Sequence, residues 1–111
     1  MTNEEIETKA AELTAQYGTK VHALVFIGKD VEDRVIGFMK EPPRAVKLRV
    51  LDKGLVSPVS AASEVVDAYL IKEHSDARIY SEDVENDSYY IGATMEAYKL
   101  VTMSVNQFKK K

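Results

Sequence analysis

Few residues in this chain are of a type that does chemistry, and their spacing does not favour it. Of the two histidines, His22 stands in an alternating apolar run and His74 follows Glu73 at the end of a helical pattern. Neither has a carboxylate or second histidine three or four residues away, the interval at which helical side chains converge on a metal ion. Adjacent helical positions point in different directions, so Glu73 does not face His74. The acidic run Ser81-Glu82-Asp83-Val84-Glu85-Asn86-Asp87 superficially resembles a calcium loop. It lacks the glycine of the sharp turn and the closing glutamate, and a helix entry matched to the helix dipole explains it with less. Five isolated glycines build no phosphate loop, and no serine occupies a GxSxG elbow. The expectation is a non-enzymatic protein with no catalytic, cofactor or metal residues.

Charge separates the remaining partner classes. The formal net charge is −3, which argues against general affinity for nucleic acid. Its distribution is uneven. Residues 40–53 carry Lys40, Arg44, Lys47, Arg49 and Lys53 against Glu41 and Asp52, and Lys109-Lys110-Lys111 ends the sequence. Residues 82–87 hold four acids and no base. Lys40, Arg44, Lys47 and Arg49 are the residues that could contact phosphate or an acidic partner, but aromatic interleaving there is thin. Clusters of opposite sign also fit complementary subunit surfaces, and solvated faces account for the same pattern.

The elements that must position these groups follow from periodicity. Ile6, Ala10, Leu13 and Tyr17 share one helical stripe over residues 3–17, with Asn3 as a start and Gly18 as a left-handed stop. Residues 20–27 alternate as a strand: Val21, Ala23, Val25 and Ile27 on one face, His22, Leu24 and Phe26 on the other. Apolar residues on both faces predict cover on both sides. Residues 34–39 read as the hairpin partner across a Gly28-Lys29-Asp30 turn, and Gly37 suggests a bulge or a close backbone approach. Residues 44–53 fit strand and helix periodicity equally. Ser57-Pro58 starts a helix running to about residue 73, residues 76–81 connect with Ile79 and Tyr80 as a short strand or plug, and Asp87 or Ser88 opens the closing helix.

In that closing helix Ile91, Met95, Tyr98, Val101, Val105 and Phe108 recur at steps of three or four. Such a stripe is wider than one small chain needs, which predicts a mate. Tyrosine and methionine are frequent at protein interfaces, and Tyr89 or Tyr90 is expected outside because neighbouring helical positions diverge. The protein-binding residues expected here are Phe38, Tyr90, Tyr98, Val101, Val105 and Phe108. The chain as a whole, residues 1–111, reads as one α+β domain: an N-terminal helix, a β-hairpin or small antiparallel sheet, then three helices. A homo-oligomer is expected. Absence of cysteine excludes disulfides and thiolate metal sites. No apolar run approaches the ~20 residues that cross a bilayer, and the polar opening MTNEEIETK is unlike a signal peptide. No membrane role and a cytoplasmic location are therefore expected.

The stretches Gly37-Phe38-Met39-Lys40-Glu41-Pro42-Pro43-Arg44, Ala61-Ala62-Ser63-Glu64-Val65-Val66 and Glu85-Asn86-Asp87-Ser88-Tyr89-Tyr90 follow one another in a recognisable order. In spacing and character the chain resembles, over about residues 33–110, the small tail assembly chaperone-like proteins of bacteriophages. It departs from them in its N-terminal helix, in the doubled proline and in the crossover. The resemblance implies a helix at residues 44–53, no catalysis, and protein binding in virion assembly within the host cytoplasm. A phage structural or host-interaction protein is the alternative, and a nucleic-acid-associated regulator using the basic cluster is the second.

Overall fold

The middle layer is an antiparallel hairpin of β1 (Val21–Ile27) and β2 (Arg34–Lys40), with one helix on its first face and two on its second. The computed structural model describes the backbone of residues 2–54 and 56–109 and side chains up to residue 102. Helix α1 (Asn3–Tyr17) precedes the hairpin; α2 (Arg44–Gly54), α3 (Pro58–Tyr69) and α4 (Asp87–Lys109) follow it. Helix α4 lies over β1, α3 beside it reaches β2, and α2 packs against α3 and the later part of α4.

Strand alternation builds two cores. Val21, Ala23, Val25, Ile36 and Phe38 turn to the first face, where Ile6 and Leu13 of α1 and Ile71 meet them. Leu24, Phe26, Val35 and Met39 turn to the second, against Val65, Val66, Ala93, Ala97 and Val101. Each fully buried aliphatic or aromatic side chain contributes about 1.5–3 kcal/mol of burial. The two-sided pattern read in residues 20–27 is thus the imprint of a strand between helical layers. The register runs unbroken from Val21 opposite Lys40 to Ile27 opposite Arg34. Gly37 therefore marks a close approach rather than a bulge, since a Cβ there would lie 2.9 Å from Ile79 Cδ1. Ile79 is the plug, fully buried.

Local signals at the element ends are mostly where the sequence places them. Gly18 closes α1 at φ +69°, donating its N–H to the Thr14 carbonyl. Helix α1 spans the expected residues 3–17, but Thr2 rather than Asn3 caps it, in a reciprocal pair with Glu5 at 3.2 and 3.0 Å. Residues 44–53 are helical, with Val50 buried and Val46 against the core. Pro58 opens α3, although Ser57 makes no side-chain cap. Helix α3 ends at Tyr69, four residues short of the expected end, because β2 competes for the next backbone groups. Leu70 turns extended and bridges to Met39, and the Ile71 N–H donates to the Phe38 carbonyl at 2.8 Å. His74 consequently sits in a 3-10 turn, Lys72–His74.

Candidate functional site

The titratable groups brought together by the fold are engaged with one another. Arg78, on the connection before α4, donates to Asp76 at 2.8 and 3.1 Å, to Asp33 at 3.0 Å and to the Tyr89 hydroxyl at 3.0 Å. The Tyr89 hydroxyl donates to Asp33 at 2.5 Å, and the Lys29 N–H reaches the same carboxylate. The guanidinium also lies 4.2 Å from the Tyr89 ring centroid. These bonds hold the hairpin turn, the connection and the first turn of α4 as one unit. Hydrogen bonds from Tyr89 and the Lys29 backbone, then Arg78, hold Asp33 below the usual carboxylate range. Arg78 does the same for Asp76. Tyr89 is pushed up by its bond to Asp33 and by burial.

A second group sits at the other end of the hairpin, where Glu41 bonds both His22 Nε2 and Lys47 Nζ. Burial alone would raise Glu41; Lys47 and His22 outweigh it and hold it low. Among the described residues no buried side-chain polar atom lacks a hydrogen bond, and no cluster of metal-ligating residues forms.

The basic residues of 40–53 are divided between β2 and α2. Lys40 lies on β2 with its ammonium 5.2 Å from the Tyr17 ring centroid, and Lys47 is paired with Glu41. Arg44 and Arg49, both exposed, stand five residues apart on α2, about 140° around its axis. Lys53 pairs with Glu64 at 2.6 Å. Of the expected phosphate-contacting set, Lys40 and Lys47 are thus engaged within the chain, and Arg44 and Arg49 are exposed.

Helix α4 divides the expected protein-binding residues. Its inner face is built from Tyr89, Ala93, Thr94, Ala97 and Val101, all buried. Val101 is 2% exposed and Phe38, beneath α1, is 1% exposed, so neither presents a surface to another protein. Tyr90 and Tyr98 are half-buried against the core, and Tyr90 donates its hydroxyl to Asp67 at 2.9 Å. The side chains of Val105 and Phe108 lie outside the described residues. Ile91 and Met95, by contrast, are 52% and 48% exposed. The stripe drifts for a geometric reason. Ten residues separate Ile91 from Val101 in three steps, about 80° short of three full turns, so the run passes from the outer to the inner face.

Neither Tyr89 nor Tyr90 is exposed, contrary to expectation. An arc of α4 packs on both the hairpin and α3, wide enough to receive two positions about 100° apart. Tyr90 also lines a groove of about 290 Å³ with Asp67, Lys72, Tyr80 and Glu82 on its walls. Beyond the helices, β1 has an outer edge that the sequence reading did not single out. Strand order in the sheet is β1-β2 alone, and residues 70–76 cover β2.

No protein-family model, curated protein or solved structure matches this chain. The functional reading accordingly stands on geometry. The exposed pair on α4 had a signal in the sequence: Gly92, Ala93 and Ala97 mark a seam of small residues that packs inward, with Gly92 against the Phe26 ring, and Ile91 and Met95 lie to its side. The free edge had none, because pairing on the far side of a hairpin is decided by segments remote in sequence.

Proposed function

We propose that this chain is a non-enzymatic protein-binding protein, of the kind that a bacteriophage tail assembly chaperone represents, and that it self-associates. One observation carries the reading. The outward face of α4 presents Ile91 and Met95 one turn apart, with half-buried Tyr98 a further turn along at its border with the core, on the longest helix of the chain. Apolar residues at i, i+4 and i+7 are the anchors by which one helix engages an apolar segment of a partner. The methionine adapts its shape to that segment. The ion pairs of Asp33, Asp76, Arg78 and Glu41 support the same reading, because those groups stabilise the fold and are occupied there. The partner in this reading is an apolar segment of a larger virion protein, shielded until assembly.

The test is co-expression with the products of the flanking genes, followed by affinity capture. Wild type is expected to retain a larger virion protein and to be absent from finished particles. Ile91→Glu with Met95→Glu is expected to lose that protein while keeping the same circular dichroism spectrum and Tm. Capture unchanged in the double variant would remove α4 as the docking face. Presence in particles at fixed stoichiometry would make the chain a structural component instead.

A further inference from the structure

We infer that the outer edge of β1 pairs with the same edge of a second copy of this chain, antiparallel across a two-fold axis at Val25, giving a continuous four-stranded sheet. This names the surface and register of the self-association proposed above and rests on that part of the reading alone.

Flanking bonds fix which backbone groups face outward. The Glu41 N–H donates to the Lys20 carbonyl at 2.8 Å and the Gly28 N–H to the Asp33 carbonyl at 2.7 Å. Antiparallel pairs alternate between bonded and non-bonded, so even-numbered residues of β1 bond to β2 and odd-numbered ones point away. The opposite side agrees. Outward groups of β2 belong to Ile36 and Phe38, and these are the groups that Ile71, Ser75 and Asp76 satisfy. On β1 the outward groups are those of Val21, Ala23, Val25 and Ile27. Thr14 Oγ1 accepts the Val21 N–H at 2.9 Å. Among the described residues, none bonds to the outward groups of Ala23, Val25 and Ile27.

This edge has none of the usual protections. Residues 23–27 read Ala-Leu-Val-Phe-Ile, without charge, proline or bulge. Folded proteins normally blunt such an edge with one of these, because it templates pairing with another strand.

Symmetry selects the occupant. The three free positions are centred on Val25, so a two-fold there sets Val25 opposite Val25 and Ala23 opposite Ile27 of the partner subunit. Each pair exchanges two bonds, about six in all. The exposed Ile27 side chain gains an apolar cross-strand neighbour. Beyond the paired positions, Lys20 at one end of each edge lies towards the turn of the partner subunit, so no residue of the paired stretch itself sets like charges against each other. A groove of about 300 Å³ runs between α1 and this edge, with Ala10, Ala11, Thr14 and Ala23 among its lining. Its alanines leave space beside the edge on the face where the two-fold also places the partner's α1. A foreign strand would have to reproduce this complementarity; a second copy carries it by construction.

Sedimentation equilibrium and amide hydrogen exchange, each over a concentration series, test the pairing. The protein is expected to sediment as a dimer. Amides of Ala23, Val25 and Ile27 are expected to gain protection with concentration, while those of Leu24 and Phe26 stay protected throughout. Val25→Pro removes an outward N–H that the hairpin does not use, and is expected to weaken dimerisation at least tenfold with an unchanged circular dichroism spectrum. Ile27→Lys, at the exposed end of the strand, should do the same and covers the case in which the proline unsettles β1. A monomer at every concentration would overturn the inference and the proposed self-association, leaving capture through α4 intact. A dimer whose Ala23, Val25 and Ile27 amides exchange freely would overturn this surface alone.

Discussion

Along β2, residues 70–76 return to the hairpin and meet the strand: Leu70 bridges Met39, Ser75 accepts the Phe38 N–H, and Asp76 donates to the Ile36 carbonyl. Along β1, Thr14 meets Val21 and the next three outward residues meet no other described group. The two strands have the same backbone chemistry and similar side chains, yet one side is closed within the chain and the other is open. The closed side supports a core, with Phe38 and Ile71 beneath α1 and Ile79 against Gly37. The open side leaves groups whose hydrogen bonds must come from water or from another chain. Helix α4 repeats the division, with small buried residues inward and Ile91 and Met95 outward. In both elements the part that stabilises the fold and the part available for contact are separated by residue position, so each can be altered alone.

The strongest way to break the comparison is from the closed side. Phe38→Ala should lower unfolding free energy by about 3–5 kcal/mol, the cost of a large cavity in a core this size. Chemical denaturation measures it, and a loss under 1 kcal/mol would show that this face is not the structural one. Gly92→Ala comes next. Alanine would favour the helix by about 1 kcal/mol, but its Cβ would enter the Phe26 ring. A net loss of about 1–3 kcal/mol is expected, and a gain in Tm would mean that α4 stands further from β1 than described.

Ser75→Ala sharpens the contrast between the edges. Its hydroxyl accepts the Phe38 N–H at 2.9 Å and donates to the Ile71 carbonyl at 2.7 Å. Loss of both should cost about 1–2 kcal/mol, and exchange of the Phe38 amide should approach that of Val25 in the monomer. Acid gives a smaller and more distributed effect. Asp33, Glu41 and Asp76 are all held below their ordinary values in the folded chain. A lowered folded-state pKa gives stability that is complete above the unfolded value and lost as pH falls through the folded one. Tm should be flat above about pH 5 and fall below about pH 4; a Tm that rises on acidification would contradict the ion-pair geometry. Met95→Lys should be smallest, within about 0.5 kcal/mol of wild type, since the residue is outside the core. A larger loss in thermal unfolding would place it inside.

Much of the fold was legible because it rests on short-range patterning. The two-sided run at residues 20–27, Gly18 after an amphipathic stretch and Pro58 after Ser57 each act within a few residues. Residues 44–53 were not resolved by periodicity, since Val46, Leu48 and Val50 alternate as in a strand while Val46, Val50 and Leu51 share a helix face; packing on α3 decides for the helix. The end of α3 was missed because Leu70 and Ile71 suit a helical stripe, and only proximity to β2 reassigns them. The candidate site was less legible. Bulk drew attention to Phe38 and Val101, which are core, whereas small residues at Gly92, Ala93 and Ala97 mark the true inner seam of α4. The basic residues at 40–53 form a cluster in the sequence and separate on α2 and β2.

The sequence by itself determined the α+β class, the order of the elements, both faces of β1 and the left-handed stop at Gly18, because these depend on side-chain period and on backbone preferences of single residues. Tertiary structure decided which face of α4 is inward, which edge of the hairpin is closed and which charges are neutralised. Those outcomes depend on groups tens of residues apart, such as Asp33 with Tyr89 or Phe38 with Ser75, meeting at hydrogen-bonding distance. No local pattern encodes such meetings, because hydrogen bonds and close packing act over a few ångströms in space whatever the separation along the chain.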